Sequence, residues 1–80
     1  MTILHLYQQL NNLNISPENY YIQGLYGSTD DNDKPALIIR KGKYAIEYEY
    51  YYKERGQKYS VQIFTNETEA CEYFLEKFKK

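Results

Sequence analysis

The sequence predicts a small α+β domain in which two helices pack on a four-stranded antiparallel sheet, in the order α-β-β-β-β-α. Three observations predict this fold. The 80 residues suffice for one hydrophobic core, so residues 1–80 are expected to form a single domain. Apolar residues recur at helical spacing near both ends of the chain. The middle is rich in Tyr, Ile and Val and is divided by short segments that contain Gly.

The first helix is predicted over residues 2–13. Its apolar side chains follow the i, i+3, i+4, i+7 pattern of one helical face, at Ile3, Leu6, Tyr7, Leu10 and Leu13. Thr2 is the expected N-cap, because its hydroxyl can accept a hydrogen bond from a free N–H of the first turn. The helix is expected to end before Pro17, since the residue before a proline disfavours helical backbone.

Four strands are predicted, over residues 20–26, 36–40, 43–52 and 57–64. Gly24 is expected to mark a bulge or a close backbone approach in the first strand. Residues 27–35 form the clearest loop of the chain. Lys41-Gly42 and Glu54-Arg55-Gly56 predict tight hairpin turns, so the last three strands are expected to be antiparallel neighbours.

Period-two alternation divides the third strand into two faces. One face carries Tyr44, Ile46, Tyr48, Tyr50 and Tyr52, and the other carries Ala45, Glu47, Glu49 and Tyr51. The simplest packing places Ile46, Tyr44 and Tyr48 on the helix side, together with Val61 and Ile63. The open face is then lined by Glu47, Glu49, Ser60 and Gln62, joined by Arg40.

The last helix is predicted to begin after Thr65 or Asn66, either of which can serve as the N-cap. One helical face collects the apolar side chains Ala70, Cys71, Phe74, Leu75 and Phe78. Acidic residues occupy the first turn and Lys77, Lys79 and Lys80 occupy the last, an arrangement that matches the helix dipole.

Tyrosine is the compositional outlier, with 11 Tyr against 3 Phe and no Trp. Two interpretations remain open. The rings can form the core and its edge while their hydroxyls reach water, or they can form a recognition surface, because Tyr is enriched where proteins bind one another.

The residues disfavour an enzyme. A single cysteine excludes an intramolecular disulfide, and Cys71 with His5 are too few for a structural zinc site. Asp30, Asp31 and Asp33 lie in one loop, but the central Gly of a calcium-binding loop is missing there. The chain contains no phosphate-binding or nucleophile motif. We therefore expect no catalytic residue, no metal and no cofactor.

The sequence also bears on location. The longest apolar run, residues 36–39, is far shorter than the roughly 20 residues of a membrane span. The N-terminus lacks the basic region of a signal peptide. A cytoplasmic protein without a membrane partner is expected.

Charge argues against nucleic acid as the main partner, since the net charge is −1. The alternative of a small sheet-based RNA- or DNA-binding module nevertheless stays open, because aromatic rings on a sheet can stack on bases. Double-stranded RNA-binding domains share a similar element order, but their last helix begins with basic residues, whereas this one begins Asn66-Glu67-Thr68-Glu69. A third interpretation is an adaptor that homodimerises through an exposed edge strand.

Several segments together resemble a known family. They are Tyr26-Gly27-Ser28 before an acidic loop, residues 34–44 (KPALIIRKGKY), residues 52–58 (YKERGQK) and residues 64–75 (FTNETEACEYFL). Over roughly residues 20–78 the chain resembles the small immunity proteins encoded beside bacterial polymorphic toxins, in contact-dependent inhibition and type VII-like systems. The resemblance implies a cytoplasmic, non-enzymatic inhibitor that binds a cognate toxin domain and blocks its active site or an essential surface.

The resemblance supplies no site residues, so the interface is inferred from physical chemistry. Many such toxins are nucleases, and carboxylates on an inhibitor would pair with a basic substrate cleft, while Tyr rings would supply apolar anchors. The expected partner-binding residues are Tyr26, Asp30, Asp31, Asp33, Glu47, Glu49, Tyr50, Tyr51 and Tyr52.

Overall fold

Two helices and five strands make up the domain in the computed structural model, which describes residues 1–79. In chain order they are α1 (Ile3–Asn12), β1 (Tyr21–Ile22), β2 (Tyr26–Gly27), β3 (Lys34–Lys41), β4 (Ile46–Glu54), β5 (Gln57–Phe64) and α2 (Glu67–Glu76). A short 3₁₀ turn, Pro17–Asn19, precedes β1. Lys80, predicted in the last turn of α2, lies outside the described residues.

The N-terminal caps of both helices confirm the sequence prediction. The Thr2 hydroxyl accepts a hydrogen bond from the N–H of His5 at 3.1 Å, and the Asn66 side chain accepts one from the N–H of Glu69 at 3.0 Å. Each cap satisfies an N–H group that has no partner within its own helix. The helix α1 ends at Asn12, one residue before the predicted end.

The sheet has five strands in the order β2-β1-β3-β4-β5 and is mixed. The prediction of four antiparallel strands is therefore wrong in strand number and in one direction, because β1 runs parallel to β3. The antiparallel pairing of β3, β4 and β5 is as predicted.

The predicted strand over residues 20–26 folds back on itself as β1 and β2. Gln23 and Gly24 both have positive φ, 54° and 71°, and the N–H of Leu25 donates to the carbonyl of Ile22 at 2.9 Å. Two successive residues in the left-handed region make a tight reversal. Gly24 therefore belongs to a turn and not to a bulge.

The side chain of Gln23 extends the short parallel pairing between β1 and β3. Its amide oxygen accepts from the N–H of Ile39 at 2.6 Å, and its amide nitrogen donates to the Ile39 carbonyl at 3.3 Å. The amide group thus occupies the place of a further peptide unit beside β3.

The two hairpin connections differ from each other. Arg55 and Gly56 form the predicted turn between β4 and β5, with φ values of 53° and 79°. Between β3 and β4, Lys41 pairs with Ile46, so the connection is the loop 42–45 and the two-residue turn at Lys41-Gly42 is wrong. The loop requires glycine at position 42 because the backbone of Ala45 approaches it closely: a Cβ on Gly42 would lie 2.7 Å from the Ala45 carbonyl oxygen.

A bulge in β5 changes which side chains face the helices. Tyr50 pairs with Gln62 and Tyr52 pairs with Tyr59, so Ser60 and Val61 together oppose one residue of β4. Ser60 has a φ of 55°, as expected for the first position of such a bulge.

The register after the bulge corrects the predicted face assignment. Ile63 pairs with Glu49 and so lies on the face without helices, and Val61, two residues away, lies on the same face. Phe64 lies on the helix side instead, with its ring centroid 5.2 Å from that of Tyr73. Ser60 and Gln62 were predicted on the open face, but Gln62 shares the face of its pair Tyr50.

The core lies between α1, α2 and one face of the sheet. Its buried members are Ile3, Leu6, Leu10, Tyr20, Ile22, Leu37, Tyr50, Ala70, Cys71, Phe74 and Leu75. Tyr48 packs against this cluster as predicted. Ile46 lies on the same face of β4, as predicted, but is 48% exposed, and Tyr44 is 90% exposed in the loop before β4, contrary to its predicted packing. Within residues 1–79, neither helix is long and apolar enough to cross a membrane.

Candidate functional site

The sheet face opposite the helices, called here the helix-free face, carries a chain of ion pairs. Arg40 lies 2.9 Å from Glu47 and 3.1 Å from Glu49. The ammonium of Lys58 lies 2.9 Å from the second carboxylate oxygen of Glu49. Glu49 is only 4% exposed and is held between two cations. A carboxylate is costly to bury alone, and the two cations offset that cost.

The acidic loop, residues 28–33, is fixed to this face through Asp31. The Tyr51 hydroxyl donates to Asp31 at 2.6 Å, and the Lys53 ammonium lies 3.3 Å from the other oxygen. These two donors, the Tyr51 hydroxyl first, lower the pKa of Asp31. Burial, with the Asp31 carboxylate beside it, raises the pKa of Tyr51. The Asp31 carboxylate therefore acts as an internal anchor.

The other two aspartates of the acidic loop are exposed. Asp30 accepts from the N–H of Asn32 at 3.1 Å and pairs with Lys34 at 3.4 Å, and these contacts lower its pKa. Asp33 has a φ of 57° and donates its backbone N–H to the Lys53 carbonyl at 2.7 Å. In the described part of the chain, its carboxylate makes no ion pair or hydrogen bond.

The structure separates the predicted partner-binding residues into groups. Asp30, Asp31 and Asp33 lie at the end of the sheet where β3 begins and β4 ends, and Tyr52 pairs with Pro35 there. Glu47 lies toward the other end of β4. Tyr26 stacks on Tyr7 of α1, with ring centroids 4.6 Å apart.

Three of the predicted residues are buried. Tyr50 packs against Tyr73 and Phe74 in the core, Tyr51 is covered by the Lys58 ammonium at 4.4 Å from its ring centroid, and Glu49 is enclosed by its cations. A partner therefore does not reach these three side chains in this structure, and the expectation that they line an accessible surface is corrected. Tyr26, Glu47 and Tyr52 are half-buried.

The tyrosines divide into buried and exposed rings. Tyr20, Tyr50 and Tyr51 are buried, as expected for a core and its edge. Tyr44 is 90% exposed in the loop between β3 and β4, where Lys43 lies 5.3 Å from its ring centroid.

The strand β5 forms one edge of the sheet, whereas the sequence predicts an exposed edge strand without identifying it. Each residue from Gln57 to Ile63 is exposed, and Val61 and Ile63 keep 43% and 44% of their surface accessible. The alternation of Val61 and Ile63 with polar residues is the sequence signal for this strand, but the sequence predicts these two side chains on the helix side. The bulge at Ser60 reverses that assignment.

Cys71 and His5 occupy different settings. Burial raises the pKa of the Cys71 thiol to about 11, which keeps it protonated and unreactive at neutral pH. His5 lies on the exposed side of α1, with its ring nitrogen 3.2 Å from the Gln9 amide.

Comparisons of the chain with protein-family models, with curated proteins and with solved structures give no match.

Proposed function

We propose that the chain is a non-enzymatic immunity protein of the cytoplasm that binds a toxin domain of the nuclease type and blocks its substrate cleft. The observation that carries this proposal is the geometry of the acidic loop. Asp31 ties the loop to Tyr51 and Lys53, while the Asp30 and Asp33 side chains remain exposed. Basic toxin groups that normally hold phosphates are the complementary surface.

Preorganisation makes this loop a suitable binding element. A segment that is already fixed loses little conformational entropy when it binds. The backbone bond from Asp33 to Lys53 and the Asp31 contacts hold the loop before any partner arrives. Exposed carboxylates also speed the encounter with a basic surface at low salt. The half-buried rings of Tyr26 and Tyr52 remain the proposed apolar anchors.

The proposal is tested by co-expression with the C-terminal domain of the protein encoded next to it. We expect a stoichiometric complex in a pull-down at moderate salt, and we expect the neighbouring domain to be toxic when expressed alone. A neighbouring domain that is harmless and forms no complex contradicts the proposal.

Charge reversal at Asp33 locates the interface. In a complex with the toxin domain, Asp33→Lys is expected to slow association by about tenfold at low salt and to flatten its salt dependence, because a steering carboxylate becomes a repelling cation. Stopped-flow association rates over a salt series measure this. The matched control is Glu18→Lys, an exposed acid in the 3₁₀ turn with the same change in charge. Equal effects of the two variants on the association rate would show that the acidic loop is not part of the interface.

A nucleic-acid-binding module is the second candidate, and the loop between β3 and β4 favours it. The ammonium of Lys43 lies 5.3 Å from the ring centroid of the 90% exposed Tyr44, and Lys41 ends the strand that leads into this loop. A ring beside an ammonium group can stack on a base. Fluorescence anisotropy with single-stranded RNA and DNA distinguishes the two candidates, since this module requires binding that Tyr44→Ala weakens.

A further inference from the structure

The outer edge of β5 is open along the whole strand. The strand is the last of the sheet order, and in the part of the chain that the structure describes nothing pairs with its outer side. Seven of its eight residues are exposed. An open edge presents free N–H and C=O groups on which another strand can be added.

The usual protection of such an edge is confined to the first half of β5. Natural sheets protect edge strands with charges, prolines and β-bulges. The one charged residue of β5 is Lys58, and its ammonium turns inward onto the sheet, 2.9 Å from Glu49 and 4.4 Å from the Tyr51 ring centroid. Residues 59–64 (YSVQIF) contain neither a charge nor a proline. The bulge at Ser60 confines the regular part of the edge to the segment that follows it.

The segment after the bulge is complementary to itself. Val61 and Ile63 lie on the helix-free face and are exposed. If a twofold axis passes through Gln62 perpendicular to the sheet, Val61 of one copy lies opposite Ile63 of the other. Four apolar side chains then cover one another, and the two Gln62 amides face each other on the helix side. No charged residue meets a like charge in this register.

We propose that β5 pairs antiparallel with β5 of a second copy, with Gln62 on the twofold axis, to form one ten-stranded sheet. The bulge ends the added ladder after a few residues, so the dimer dissociates on dilution. The proposal rests on the edge of the sheet and is independent of the toxin-binding function.

Sedimentation equilibrium over a concentration series tests the dimer. We expect the purified chain to approach twice its monomer mass at high concentration, and Ile63→Lys to raise the dissociation constant by about tenfold or more, because the ammonium must be desolvated at the interface. The matched control is Ile46→Lys, which changes a similarly exposed apolar residue, 48% against 44%, away from the edge. A wild-type chain that stays monomeric up to millimolar concentration overturns the proposal, as does an equal effect of the two variants.

A cross-linking experiment tests the register separately. In the proposed dimer, Gln62→Cys places two thiols directly opposite each other, within reach of a disulfide. Gln57→Cys would place its two thiols roughly 33 Å apart by the strand rise. We expect rapid oxidation to a covalent dimer for Gln62→Cys alone, since the native Cys71 is buried. Equal or no cross-linking of the two variants contradicts the register.

Discussion

Two buried tyrosines differ in what their hydroxyl groups meet. The Tyr51 hydroxyl donates to the Asp31 carboxylate at 2.6 Å. The Tyr20 hydroxyl lies inside the core, and none of residues 1–79 offers it a hydrogen bond. Burial raises the pKa of Tyr20. A buried hydroxyl without a hydrogen-bond partner lowers the free energy of unfolding, whereas a hydroxyl bonded to a carboxylate raises it.

The same substitution should therefore have opposite effects at the two positions. Tyr20→Phe is expected to raise the free energy of unfolding by about 1 kcal/mol, and Tyr51→Phe to lower it by about 1–2 kcal/mol. Urea titrations at neutral pH measure both values, and each variant serves as the control for the other. A loss of stability in Tyr20→Phe would mean that its hydroxyl is satisfied in solution.

The Asp31 anchor makes part of the stability depend on pH. The folded pKa of Asp31 is lowered, first by the Tyr51 hydroxyl and then by Lys53, so its stabilising effect is fully present above the unfolded pKa of about 3.9. This contribution is lost as the pH falls through the lowered pKa. We expect Asp31→Asn to be less stable than the wild type at pH 7 and the difference to shrink as the pH falls below about 4.

Urea titrations at several pH values test this dependence. Asp33→Asn is the matched control, because it has the same chemistry in the same loop and Asn also tolerates the left-handed backbone. A stability difference for Asp31→Asn that stays constant from neutral to acidic pH would contradict the role of its carboxylate.

Among the elements, the bulge in β5 places a non-glycine residue in the left-handed region. Ser60 has a φ of 55°, a conformation that costs an L-residue roughly 1 kcal/mol and glycine little. Ser60→Gly is expected to raise the free energy of unfolding by about 0.5 kcal/mol, and Ser60→Val to lower it by about 1 kcal/mol. Thermal and urea unfolding compare the two. Stabilisation by Val would show that the bulge is absent in solution.

The helices could be predicted because their signals are local. Thr2 and Asn66 cap N–H groups three residues ahead, and the apolar spacing places Leu6, Leu10 and Phe74 in the core. The strand boundaries depend on backbone angles that the residue types do not require. Gln23 and Ser60 both take positive φ, and each of them changed an expected strand or an expected face.

At the scale of the whole molecule, the site was only partly predictable for a related reason. The acidic loop is evident in the sequence, since three aspartates lie close together there. Its anchoring depends on Tyr51 and Lys53, about twenty residues away. The burial of Glu49 depends on cations from two neighbouring strands, Arg40 and Lys58. Such partners are brought together by strand register, which the sequence reasoning did not establish on the β5 side.

The two ends of the described chain meet in the folded molecule, and this affects when folding can finish. The N–H of Ile3 donates to the Glu67 carboxylate at 3.0 Å, and the Met1 ammonium donates to the Thr68 hydroxyl at 3.0 Å. Four side chains of α2, Ala70, Cys71, Phe74 and Leu75, belong to the same core as Ile3, Leu6 and Leu10 of α1, so α1 cannot complete the core while the ribosome is still synthesising α2. The domain therefore acquires its native surface only after translation of α2.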